Sequence, residues 1–232
     1  KAHSGRHRLV SGKDLPEDML QENIDDVRDG AANLLKHLQI VRGFGITPVV
    51  AVNVFPTDHD AEIEEVRRIA GDAGARVAVC HPVTRGGEGC LDLVGAVVEA
   101  CHEAGEPACS RPAYEPQDDL RTKISKLADL YGADGVDYTP AASRLLEAYE
   151  QAGFSHLPVI VAKTPLSLSA EPGRKGVPTG WRLPVREVRL AAGAGYVYAI
   201  CGSLSTMPGL PSRPAAERID VDLDTGQIVG LR

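Results

Sequence analysis

Apolar residues recur at three- and four-residue steps from Pro16 to Val41: Leu20, Ile24, Val27, Leu34, Leu35, Leu38 and Val41. That spacing predicts an amphipathic helix. Gly30 marks a predicted break within it, and Gly43 and Gly45 supply the stop. The pattern then changes. TPVVAVNVF, Thr47 to Phe55, is β-branched and almost wholly apolar, which suits a strand covered on both faces, as in a parallel sheet. A helix is predicted from Asp58 to Ala70, with acidic residues crowding its first turns, where the helix dipole favours them. A second strand, Arg76 to Cys80, leads to a glycine-rich loop and a helix from Leu91 to Glu103. Strand, helix, strand and helix with short joints is the pattern of a parallel α/β sheet.

GEPACSRPAYEPQ, Gly105 to Gln117, holds three prolines and reads as a long connection. It divides the chain into an α/β segment over residues 1–110 and a smaller, mixed α/β C-terminal subdomain over residues 111–232. Helices are predicted over Asp118–Leu130 and Pro140–Gln151, and strands over Leu157–Ala162, Leu183–Leu190, Gly195–Cys201 and Arg218–Val221. Asp224-Thr225-Gly226 predicts a hairpin turn. The loop TPLSLSAEPGRKGVPTGW carries no period and is long for a compact domain.

The chain has 232 residues and a net charge of −7, which argues against nucleic-acid binding as its main business. No apolar stretch reaches the length of a bilayer span and no signal-peptide pattern opens the chain. Five cysteines, an odd number, read as reduced thiols of a cytoplasmic protein. Cys80, His81, Cys90, Cys101, His102 and Cys109 follow no zinc spacing, so no metal site is expected.

The chemistry concentrates at two predicted strand ends. CHPVTRGGEGC, Cys80 to Cys90, places three glycines between a strand and a helix, with Arg85 adding positive charge. Beyond the carboxyl ends of parallel strands, helix N-termini offer free N–H groups to anions. The same glycines also fit a tight turn with no ligand. Neither a phosphate-binding G-x-x-x-x-G-K-[ST] loop nor a G-x-G-x-x-G fingerprint is present. At the other strand end, Phe55-Pro56 offers an aromatic ring to a flat ligand; alternatively Phe55 is core and Thr57 or Asp58 caps the next helix. Lys163, after LPVIVA, meets an anion or is simply solvated. Cys90 and Cys101 read as core residues, and Trp181 as structural.

Several runs read together resemble the C-terminal part of the formate–tetrahydrofolate ligase (10-formyltetrahydrofolate synthetase) family. They are NLLKHLQIVRGFGITPVVAVNVFPTD, RGGEG, LYGADGVDYTPAA, LPVIVAKTPLSLS, PTGW, VREVRLAAGAG and TMPGLPSRPAAERIDVD, collinear from about Asn33 to Arg232. The resemblance implies a reaction in which ATP phosphorylates formate to formyl phosphate, and N10 of tetrahydrofolate then attacks the formyl carbon. It implies Mg2+ with ATP, an activating monovalent cation and a homo-oligomer.

It also implies that the P-loop and the arginine that holds formyl phosphate belong to a large N-terminal domain, in cis or in trans. Lys1-Ala2-His3-Ser4-Gly5 is similar to a family K-x-H-G-G run, with Ser4 at a usual glycine. By that likeness the chain is a portion or a split half, inactive on ATP alone; the alternative is a non-catalytic module binding folate or a partner chain. A Rossmann-like oxidoreductase, the third reading, lacks its fingerprint.

For the site, the resemblance implies a flat-ring slot lined by Phe55 and Pro56 and by the turn of Val83, Arg85, Gly86, Gly87, Glu88 and Gly89. Val83 stands where the family usually has tryptophan, and the lost stacking is worth about 0.5–1.5 kcal/mol. Pro165 and Leu166 also depart from the family pattern.

Overall fold

The computed structural model describes residues 1–7, 14–104, 110–202 and 212–230. Two compact units are present, Lys1–Gly202 and Ser203–Arg232. The fold class is mixed α/β, with one parallel and one mixed sheet in the first unit.

The first helical pattern becomes α1 (Glu17–Leu20) and α2 (Ile24–Gly43). The predicted break at Gly30 is not there. α2 runs through it, and the interruption falls instead just before Asn23, whose side chain caps the helix by accepting from the Asp26 amide at 3.0 Å. Gly30 has a different reason to be glycine. A Cβ there would lie 3.2 Å from the Ser4 nitrogen and 3.3 Å from the His3 carbonyl carbon, so its bare face lets the N-terminal segment cross the helix closely.

β1 (Val49–Asn53), α3 (Asp60–Asp72) and β2 (Arg76–Cys80) follow. β1 and β2 pair in parallel, with Asn53 opposite Cys80. Pro82–Arg85 forms the single turn α4, and Gly86–Cys90 a 3₁₀ turn leading into α5 (Leu91–Ala104). Among the described residues this sheet has two strands. Ala51 is exposed in β1, and α5 leaves Leu91 64% and Val94 56% exposed. Parallel strands are ordinarily covered on both faces; here the cover is incomplete.

The main core lies further along. α6 (Leu120–Leu130) and α7 (Pro140–Gln151) pack on a four-stranded sheet of β3 (Val136–Tyr138), β4 (Val159–Ala162), β5 (Leu183–Ala191) and β6 (Tyr196–Cys201). Strand order is β3-β5-β6-β4, parallel except for the antiparallel β5–β6 pair. Leu120, Ile124, Leu146, Val185, Val188 and Val197 form its centre, joined by Trp181 at 4% exposure.

β3 was not foreseen. Its three residues sit in GADGVDYTP, too short for a period to show. The Arg182 guanidinium lies against Gly135, bonded to the Asp134 and Val136 carbonyls at 3.3 and 3.1 Å.

In the second unit, β7 (Asp220–Val221) and β8 (Ile228–Val229) form the expected antiparallel hairpin. The Asp222 carboxylate accepts from the Asp224 and Thr225 amides, both at 2.9 Å, and Gly226 takes φ +68°. The proline-rich segment Ser205–Pro214, which its three prolines and a glycine predict to hold one shape, lies outside the described residues up to position 211, as does Cys109. No helix among the described residues is long and apolar enough to cross a membrane.

Candidate functional site

Parallel pairing of Asn53 with Cys80 brings the two chemistry-bearing loops side by side at one sheet edge. This is the place where open α/β sheets put ligands. The segment after β1 folds back at once. The Asp58 carboxylate accepts from the Phe55 amide at 2.8 Å, and the Asp58 amide donates to the Phe55 carbonyl at 3.0 Å. Asp58 therefore shapes the turn rather than capping α3, whose N-cap is His59 with no side-chain cap bond. The Phe55 ring is not core: it is 49% exposed, with Pro56 exposed beside it.

The loop after β2 is a helical turn that closes on its own base. The His81 amide donates to the Gly89 carbonyl at 2.9 Å, and the Arg85 amide to the His81 carbonyl at 2.9 Å. Gly86 sits at φ +54°, a backbone region that side-chain-bearing residues rarely adopt. A Cβ on Gly89 would lie 2.5 Å from the His81 carbonyl oxygen. Gly86 and Gly89 thus serve the turn itself. Gly87 alone of the three faces open space at an ordinary φ, which leaves its backbone free for close approach by a ligand.

Val83 is 54% exposed, and Arg85, Gly86, Gly87 and Glu88 are exposed while Gly89 is buried. Neither Arg85 nor Glu88 has an ion-pair partner among the described residues. The edge therefore offers an apolar ring, an apolar branched side chain, a free guanidinium and a bare backbone. That set suits a flat ring carrying acceptors or negative charge. Burial pushes the Cys80 thiol up from its ordinary pKa, and the neighbouring Cys90 thiol reinforces the shift, so Cys80 is a poor nucleophile at neutral pH.

Three sequence expectations need correction. Cys101 is exposed and Cys90 half-buried, so neither belongs to the core. Lys163 is not simply solvated. It is half-buried and donates to the Ser167 carbonyl at 2.6 Å, to Thr164 at 3.3 Å and to Ser169 at 3.4 Å.

Among the described residues no three His, Cys, Asp or Glu side chains gather to hold a metal ion.

Comparison with known proteins agrees with the runs quoted above. The family model of formate–tetrahydrofolate ligase matches residues 1–232. The chain is 57% identical, over its whole length, to a formate–tetrahydrofolate ligase of Saccharopolyspora erythraea and covers 40% of that protein. It is 54% identical to one of Cutibacterium acnes, again covering 40%, and 49% identical to one of Roseiflexus sp., covering 41%. The chain thus spans about two fifths of the length of these curated relatives. The chain belongs to the formate–tetrahydrofolate ligase family.

Proposed function

We propose that this chain is the C-terminal part of a ligase that joins formate to tetrahydrofolate with ATP, and that it supplies the ring-binding side of the site. In the reaction so assigned, ATP phosphorylates formate and the amine of tetrahydrofolate takes the formyl group, releasing phosphate. The carrying observation is the pairing of Asn53 with Cys80, which sets Phe55-Pro56 beside the Val83–Gly89 turn, all but Gly89 exposed. Residues 1–110 carry these strand ends in this reading, and residues 111–232 form a supporting part.

Each residue takes a role from its chemistry. Phe55 and Pro56 form one face for the flat ring, and Val83 the other, giving contact area without stacking. Gly87 admits the ligand close to backbone. Arg85, exposed and unpaired, attracts negative charge on substrate or intermediate. No step through ATP, Mg2+ or a monovalent cation is assigned to the residues present; the proposal places those groups in the remaining length of a ligase the size of the relatives.

The open parallel sheet supports a larger assembly. Leu91, Val94, Val97 and Val98 are exposed on α5, and a two-stranded parallel sheet is too small to cover its own faces. The relatives extend far beyond the matched region, and the occupant proposed for this face is that further length, in cis or in trans. A homo-oligomer in the cytoplasm completes the reading.

A second reading, a folate-binding module without catalysis, draws on Val83 in place of an aromatic ring. One experiment separates the two. This chain joined to the remainder of a relative's ligase is assayed for formate- and ATP-dependent formation of 10-formyltetrahydrofolate. Turnover supports the ligase; saturable tetrahydrofolate binding with no turnover supports the module; neither one defeats both.

A further inference from the structure

A cavity lies away from these strand ends, within the first unit. It holds about 450 Å3 and is walled by His3, His37, Lys163, Tyr131 and Trp181, with aliphatic side chains of β4 and α6 between them. Its size falls within the usual range of small-ligand sites, about 300–1,000 Å3. Five separate segments build it: the N-terminal stretch of chain, α2, the end of α6, β4 with the loop after it, and the entry to β5.

The polar groups on its wall are out of balance. Among the described residues no carboxylate lines it. The Lys163 ammonium lies 5.0 Å from the centre of the Tyr131 ring and has carbonyl acceptors but no ion-pair partner among the described residues. Burial pulls its pKa down, as expected of a charge with no counter-ion. His37 has no hydrogen-bond partner among the described residues; burial, and then Lys163, pull its pKa down.

His3 accepts at Nδ1 from the Gly176 amide at 3.3 Å, so its neutral ring carries the proton on Nε2, a further donor. Burial, and then the Lys175 charge, hold His3 low as well. The indole Nε1–H of Trp181 is sealed from the cavity and has no acceptor among the described residues. Buried donors without partners are rare enough in folded proteins to need an explanation. The wall thus presents the unpartnered His37 ring, the Nε2–H of His3 and the Lys163 charge beside two aromatic rings.

We propose that this cavity is a binding site for a compact organic anion, whose charged head lies between His37 and Lys163 and whose apolar body rests on Tyr131 and Trp181. Carboxylates and phosphate esters share the required head. The site is independent of the strand-end site and of the reaction assigned above. Lys163, tied into the loop after β4 by three carbonyls, supplies field rather than a new hydrogen bond. His37 supplies the direct contact.

Trp181 is the only tryptophan in the chain, so its fluorescence reports on the cavity. The 232-residue chain is titrated at constant ionic strength with cyclohexanecarboxylate, acetate and inorganic phosphate, with chloride as control. Cyclohexanecarboxylate is expected to give a saturable change, tighter than acetate and absent with chloride. A phosphate response tighter than both carboxylates would assign the head to a phosphate ester. His37→Leu is expected to weaken binding about tenfold, while His37→Gln, which retains a donor, keeps most of it. Thermal unfolding of each variant confirms that the fold survives. Absence of any saturable change, or a response that His37→Leu leaves intact in a folded chain, overturns the proposal.

Discussion

The amide of His81 donates to the carbonyl of Gly89 across 2.9 Å, so the glycine-rich turn is closed at its base by its own backbone. A methyl group at Gly89 would sit 2.5 Å from the His81 oxygen, whereas one at Gly87 meets nothing within 4 Å. Gly89→Ala is therefore expected to destabilise the chain by about 1–3 kcal/mol, the range for forced overpacking. Gly87→Ala is expected to leave stability within about 0.5 kcal/mol of the parent. Urea unfolding of the two variants checks the contrast, and equal losses would mean the turn does not close as described.

Val83 and Phe55 are the exposed apolar side chains of the two adjacent strand ends. Replacing Val83 with tryptophan supplies a stacking partner. In a complete ligase containing this chain, Val83→Trp is expected to tighten tetrahydrofolate by about 0.5–1.5 kcal/mol, or roughly two- to tenfold. An equilibrium titration with wild type and variant reads this directly, and unchanged or weaker affinity would separate Val83 from the ring slot.

Glu65 ties α3 to α2. Its carboxylate accepts from Arg68 at 2.7 and 3.0 Å and from Arg28 at 2.7 Å, and these bonds, Arg68 first, lower its pKa from 4.5 to about 2. A depressed carboxylate contributes stability above its unfolded pKa and loses it as pH falls through the folded value. The difference in stability between wild type and Glu65→Gln should be constant at neutral pH, shrink between about pH 4.5 and 2, and vanish below that. Acid titration of the two proteins in fixed urea measures it; a difference that grows toward low pH would contradict the pairing.

The cysteines should react in order of exposure. Burial pushes the Cys201 thiol up to about 12 and raises Cys80 as well, while Cys101 is exposed. Among the described cysteines, alkylation of the native chain followed by peptide mass mapping should modify Cys101 before the others, and Cys80 and Cys201 only on unfolding. Early labelling of Cys201 would place it outside the core.

What the sequence revealed depended on how local each cause was. β2 and α7 fall on their predicted residues because a run such as RVAVC and a Thr139–Pro140 helix start carry their own signals. Gly30 misled because its cause is tertiary: it yields to the crossing of His3 and Ser4, not to a bend in the helix. Cys101 misled for a related reason, since the apolar pattern of α5 predicts cover that the described chain does not provide.

At the site, the pairing of the two strand ends was legible from α/β order alone. The division of labour among Gly86, Gly87 and Gly89 was not, because it depends on one carbonyl eight residues away in the chain. The cavity of His3, His37 and Lys163 gathers residues more than a hundred positions apart, and no local pattern in the sequence joined them.

The central claim is that Phe55 holds the flat ring of tetrahydrofolate. Steady-state kinetics of Phe55→Ala in a complete ligase test it most directly, with KM measured for tetrahydrofolate and for ATP in the same preparation. Loss of the ring contact is expected to raise the tetrahydrofolate KM about fivefold or more and to leave the ATP KM unchanged. An unchanged tetrahydrofolate KM, or an equal rise in both, would contradict it.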